Sequence, residues 1–213
     1  MRRLKFSTVL LLTSIMPAYA ATPIDGLYSS AFGGAAFLPG NVDVTSNNVN
    51  LTQSAYDAGF DVGGALGYKS AFWRYEAEVT YIHAQMKKIA VNNIVSNANS
   101  NAYNQDVTAM INLAYDLPYN PSYLIQPYIG AGMGYAWVQT NFTTPNQFSF
   151  NATNYAFAYQ GTAGLTFHFS ENYSLYAGYR YLGTTHLDKN GSIFQANLVN
   201  AGITYRYDSC EYK

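Results

Sequence analysis

Apolar and polar residues alternate one by one along most of this chain. The pattern is plainest over residues 73–81, Trp-Arg-Tyr-Glu-Ala-Glu-Val-Thr-Tyr, where odd positions are aromatic or apolar and even positions are charged or polar. Neighbouring side chains of a β-strand point to opposite faces, so this segment has one apolar and one charged face. A 3.6-residue helical period would mix the two sets. The apolar face starts and ends in aromatics about nine residues apart, the length a tilted strand needs to cross a bilayer.

The same alternation predicts seven more strands, over 27–38, 57–69, 106–117, 123–138, 155–169, 173–183 and 194–207. The first is placed mainly because the later pattern requires it, since small residues such as Gly33 and Gly34 weaken its alternation. The connections alternate in length. Long polar, Asn-rich loops are expected at 39–56, 86–105 and 139–154, a shorter one at 184–193, and tight turns at 70–72, 118–122 and 170–172. Eight strands with alternating long and short links predict an all-β fold, an eight-stranded antiparallel up-and-down transmembrane β-barrel. Closure matters because each unpaired backbone group in hydrocarbon costs several kcal/mol, and a ring has no edge.

Composition sharpens this picture. Arg2, Arg3 and Lys5, an apolar run and then Ala18-Tyr19-Ala20 read as a cleaved secretory signal over residues 1–20, leaving 21–213 as the barrel domain. Without the signal, eight Lys and Arg face 12 Asp and Glu, so no basic patch is left for nucleic acid. Charged residues make up only 11% of the chain, against about 25% in soluble globules. Cys210, the one cysteine, rules out an intramolecular disulfide.

Two features decide which face meets lipid. The charged face also carries Gly63, Gly67, Gly130, Gly132, Gly134, Gly178 and Gly202, and an eight-stranded barrel has an interior only just wide enough for side chains. The apolar face has aromatics near both strand ends. Trp73, Tyr68, Tyr115, Phe169, Tyr205 and Tyr207 are expected at one interface, and Tyr81, Tyr135, Trp137, Tyr159 and Tyr181 at the other. The inward charges are then Asp57, Asp61, Glu76, Glu78 and Asp116 against Lys69, Arg74, Arg180 and Arg206. Buried charges persist only when paired, so Glu76 and Glu78 are expected to meet Arg180, with Arg74 and Arg206 nearby, and to plug the lumen. His83, His168 and His186 have no metal-ligand spacing, and neither a metal nor a cofactor is expected.

The run Tyr128-Ile-Gly-Ala-Gly-Met-Gly-Tyr135, residues 161–169, Tyr176-Ala-Gly-Tyr-Arg-Tyr181 and Ala201-Gly-Ile-Thr-Tyr-Arg-Tyr207 resemble small eight-stranded outer-membrane barrels of the opacity protein, outer membrane protein X and outer membrane protein A transmembrane-domain type. That resemblance implies a bacterial outer-membrane location, with lipid and lipopolysaccharide around the wall and the outer-membrane assembly machinery as a folding partner. It further implies a non-enzymatic role, in which the loops meet host surface molecules or the barrel serves envelope integrity. Residues 208–213 follow Tyr207, where such barrels usually end on an aromatic. Two rival functions are a narrow channel for small hydrophobic compounds and a lipid A deacylase-like barrel enzyme. The second would draw on His186 and Asp188, but the Ser it also needs is missing beside them.

Overall fold

The computed structural model describes residues 25–39, 44–46, 49–56, 58–91, 94–97, 103–118, 124–143, 149–185 and 194–207. They form eleven strands: β1 (Gly26–Phe37), β2 (Val44–Ser46), β3 (Val49–Tyr56), β4 (Gly59–Ser70), β5 (Trp73–Val91), β6 (Ile94–Asn97), β7 (Tyr103–Asp116), β8 (Ile125–Thr143), β9 (Ser149–His168), β10 (Tyr173–Thr184) and β11 (Gln195–Arg206). Eight of them make the barrel. Each pairs antiparallel with its neighbours in the order β5, β4, β1, β11, β10, β9, β8, β7, and β7 pairs back onto β5, so the ring closes. The two chain-terminal strands of the barrel, β1 and β11, meet from Tyr28↔Arg206 to Phe37↔Asn197.

The barrel is inside out relative to a soluble protein. Large apolar side chains cover its outer wall, with Ile111 72%, Leu66 68% and Tyr135 62% exposed. Glu78, Arg180, Lys69, Asp61 and Asp116 are all buried on the inside. No Lys or Arg lies on the described outer wall between the aromatics at its two ends, where at mid-depth either would cost about 2–4 kcal/mol. At one end the links are tight. Ser70 pairs with Trp73 around Ala71 and Phe72, and Ala71 holds a positive φ of 51°.

At the other end the structure corrects the sequence reading. Three segments expected as loops contain ladder. β3 pairs with the outer end of β5, from Leu51↔Val91 to Tyr56↔Met86, and β2 and β6 extend that sheet on either side. The β8–β9 hairpin continues to Thr143↔Ser149, six residues past Trp137, about 20 Å of extra strand at ~3.4 Å per residue. These stretches are polar or Asn-rich, so no lipid-facing alternation marks them, yet their backbones still need partners. The expected signal peptide, Asp57, Cys210 and almost all of the 184–193 loop lie outside the described residues.

Candidate functional site

The lumen is stacked in three layers, each built by the inward positions of several strands. The layer nearest the tight turns is ionic. Asp116 on β7 takes Lys69 Nζ of β4 at 2.5 Å and lies 2.9 Å from Arg74 Nε of β5. Arg74 also reaches Glu76 at 3.4 Å. The Tyr28 hydroxyl donates to Glu76 Oε1 at 2.5 Å. His168 and Gln126 share a 2.9 Å hydrogen bond, and Arg206 Nη1 donates to Ser174 Oγ at 2.8 Å.

The middle layer is organised by Glu78. Arg180 Nη1, from β10, donates to its Oε1 at 2.5 Å. Thr80 Oγ1 donates to Oε1 at 2.9 Å, and Asn112 Nδ2 to Oε2 at 3.0 Å. Gln160 Nε2 donates in turn to Asn112 Oδ1 at 2.7 Å. The carboxylate is therefore held from β5, β7, β9 and β10 at once. Such saturation is what a buried ion pair needs before its attraction can offset the desolvation of two charges. Two of the arginines also lie over aromatic rings, Arg180 over Phe32 and Arg74 over Tyr128, both at 4.6 Å, a contact that desolvation strengthens.

Above this, toward the projecting strands, the lumen turns mainly apolar. Ala36, Ile82, Ala136, Leu182, Phe194 and Leu198 belong to one buried cluster, and Asp106 is buried at the level of Ile82. Asp61 and Asn200 bridge the boundary, with the Asn200 amide donating to the Asp61 carboxylate across β1. A side chain at Gly34, which lies between them on β1, would strike the β11 backbone. A cavity of about 30 Å³ lies in the middle of the barrel, between Arg74, Glu76, Glu78, Tyr128, Gln160 and Arg180.

Of the residues expected in the lumen cluster, the structure brings Glu78 and Arg180 together. It turns Glu76 instead to Arg74 and Tyr28, and it places Arg206 beside Ser174. Of those expected at the interfaces, Trp73, Tyr135 and Trp137 are exposed on the wall, while Tyr81, Tyr181 and Tyr205 are half-buried there. Neighbouring rings support them: Trp73 with Tyr115 at 4.8 Å, Trp137 with Tyr155 at 6.3 Å, Tyr159 with Tyr181 at 6.4 Å and Tyr205 with Tyr173 at 4.9 Å.

Sequence reasoning missed two things. Aromatics stand inside as well as outside: Tyr28, Phe32 and Tyr128 face the bore. The apolar layer was also missed, because residues such as Ile82 and Leu182 neighbour outward tyrosines and erase the alternation. The signal that could have found the rings is the inward glycine set, since each ring lies against a glycine.

This geometry has known counterparts. An outer membrane protein of Gluconacetobacter diazotrophicus is 28% identical over 208 residues, covering 87% of this chain. The chain spans about half, 54%, of that relative's length. Neisserial surface protein A superposes with a TM-score of 0.59 at 15% identity, over 85% of this chain and 97% of that one. The outer membrane protein OprG of Pseudomonas aeruginosa gives 0.58 at 12%, over 87% and 99%. At such identities the two structures share the fold alone. The model of the outer membrane protein β-barrel domain matches residues 6–207, and the chain belongs to that family of bacterial outer-membrane barrels.

Proposed function

We propose that this barrel is a closed, non-conducting surface protein that carries its outer strands and loops into the medium for adhesion, host interaction or envelope integrity. The observation that carries this is the Glu78–Arg180 pair, which spans the bore between β5 and β10 and is capped by the apolar layer above it. An ion moving along the axis would have to break a buried, hydrogen-bonded ion pair and then cross a packed apolar stretch. The central cavity of about 30 Å³ has room for one or two waters rather than a water column. The β8–β9 hairpin and the β2–β3–β5–β6 sheet rise past the wall aromatics and supply the displayed surface.

Three experiments test it. Purified protein in planar bilayers is expected to give no steady single-channel steps, and large regular steps would overturn the plug. Deleting residues 139–154 is expected to reduce whole-cell adhesion or serum survival while the barrel still assembles. If deletion of each outer segment in turn leaves both unchanged, the display role fails. Lipid A from expressing cells is expected to keep all its acyl chains by mass spectrometry, and loss of one would point to an enzyme.

The apolar outer half of the lumen favours one second reading, a narrow passage for small hydrophobic compounds. Its six alanines, Ala36, Ala84, Ala136, Ala156, Ala158 and Ala196, are side chains that displace little volume. Uptake of a radiolabelled hydrocarbon into proteoliposomes, above that of empty vesicles, would favour this reading over the first.

A further inference from the structure

We infer that the cavity between the ionic and middle layers is a site for one small monatomic anion, chloride in the cell. The argument is a count of donors and acceptors. Two lumen arginines line the cavity, and each keeps a buried N–H without an acceptor: Nε of Arg180 and Nη2 of Arg74. Arg180 is only 7% exposed. A buried donor left empty pays its desolvation without return, and more so when the group is charged.

The carboxylates that line the same cavity are largely spent. Glu78 Oε1 accepts from Arg180, Thr80 and Gln160, and its Oε2 from Asn112. Glu76 Oε1 accepts from Tyr28 and Arg74. The open buried donors at the cavity are arginine N–H groups, and an occupant that satisfies them must accept. At about 30 Å³ the space admits a halide or a pair of waters and excludes a carboxylate or phosphate group. A bound anion would tie Arg74 of one layer to Arg180 of the next and lock the two together. The site does not depend on whether the barrel conducts.

Crystals of the wild-type protein grown in bromide, with diffraction recorded at the bromine edge, test the assignment. The expected result is one anomalous peak inside the barrel, within hydrogen-bond reach of Arg180 Nε and Arg74 Nη2. Density there without an anomalous signal means water and overturns it. In detergent, the unfolding midpoint is expected to climb with chloride at fixed ionic strength when a bulky anion is replaced, as ligand linkage requires. A midpoint indifferent to chloride would likewise overturn the site. Both measurements use the unaltered protein, so neither depends on a variant that must fold.

Discussion

The ring of Tyr28 fills the space where a side chain on Gly67, its register partner across the β1–β4 ladder, would begin. The same ring reaches on to donate to Glu76. The pairing recurs: Phe32 lies against Gly63, and Tyr176 against Gly202, each ring on the glycine that faces it across a ladder. Inward glycines here do more than suit a narrow bore. They make shelves for rings, and the rings in turn position the charges. Gly67→Ala therefore displaces Tyr28 and weakens its hold on Glu76. Overpacking of this kind typically costs 1–3 kcal/mol; about 1–3 kcal/mol is expected here, measured by reversible urea unfolding in lipid vesicles. A variant as stable as the parent would mean that the ring swings aside freely.

Glu78 and Arg180 offer a sharper test, because their cost separates into single and paired terms. Arg180→Met leaves Glu78 buried beside Thr80, Asn112 and Gln160 without its counter-charge. Breaking a buried pair from one side typically costs about 3–5 kcal/mol, while replacing both members with apolar groups is often close to neutral. Glu78→Leu combined with Arg180→Met is thus expected to be more stable than Arg180→Met alone. A double-mutant cycle on unfolding free energies reads the coupling directly. Additive losses would show that the two side chains are held independently.

The eight crossings were legible because lipid forces a strict period on them. Over 73–81 every outward residue is apolar or aromatic, and every inward one is polar or charged. Above Trp137 and Tyr155 that pressure ends. Gln139, Asn141, Thr143, Ser149, Asn151 and Thr153 look like loop residues in composition, yet they extend the β8–β9 ladder. The charges that share the bore were also legible, because parity assigns a face. Which carboxylate meets which arginine was not, because partners such as Glu78 and Arg180 come from strands that do not touch in the wall. Their closeness depends on how barrel closure sets the stagger of each strand.

The tight turn after β4 carries local strain that one substitution should release. Ala71 sits at φ 51°, and its N–H donates to Asp25 Oδ2 at 2.8 Å. An L-residue there typically costs about 1–2 kcal/mol, whereas glycine adopts the same region freely but loses more entropy on folding. Ala71→Gly is expected to gain about 0.5–1 kcal/mol in unfolding free energy, the net of those two terms. A loss of stability instead would mean that the methyl group makes a contact worth more than the backbone strain.

The position of the membrane on the wall can be tested with one charge placed at two heights. Ile111 is 72% exposed on β7, midway between Tyr115 at the turn end and Val107, which pairs with Trp137. Arginine at that depth meets hydrocarbon, and Ile111→Arg is expected to cost about 2–4 kcal/mol. Ser149 stands at the far end of β9, opposite Thr143 and well beyond Trp137. A charge there meets water and headgroups, so Ser149→Arg is expected to change stability by less than about 0.5 kcal/mol. Unfolding both variants from the same vesicles removes any difference in lipid. Equal costs at the two sites would place the hydrocarbon boundary above the wall aromatics, and the projecting hairpin would then lie in the membrane rather than beyond it.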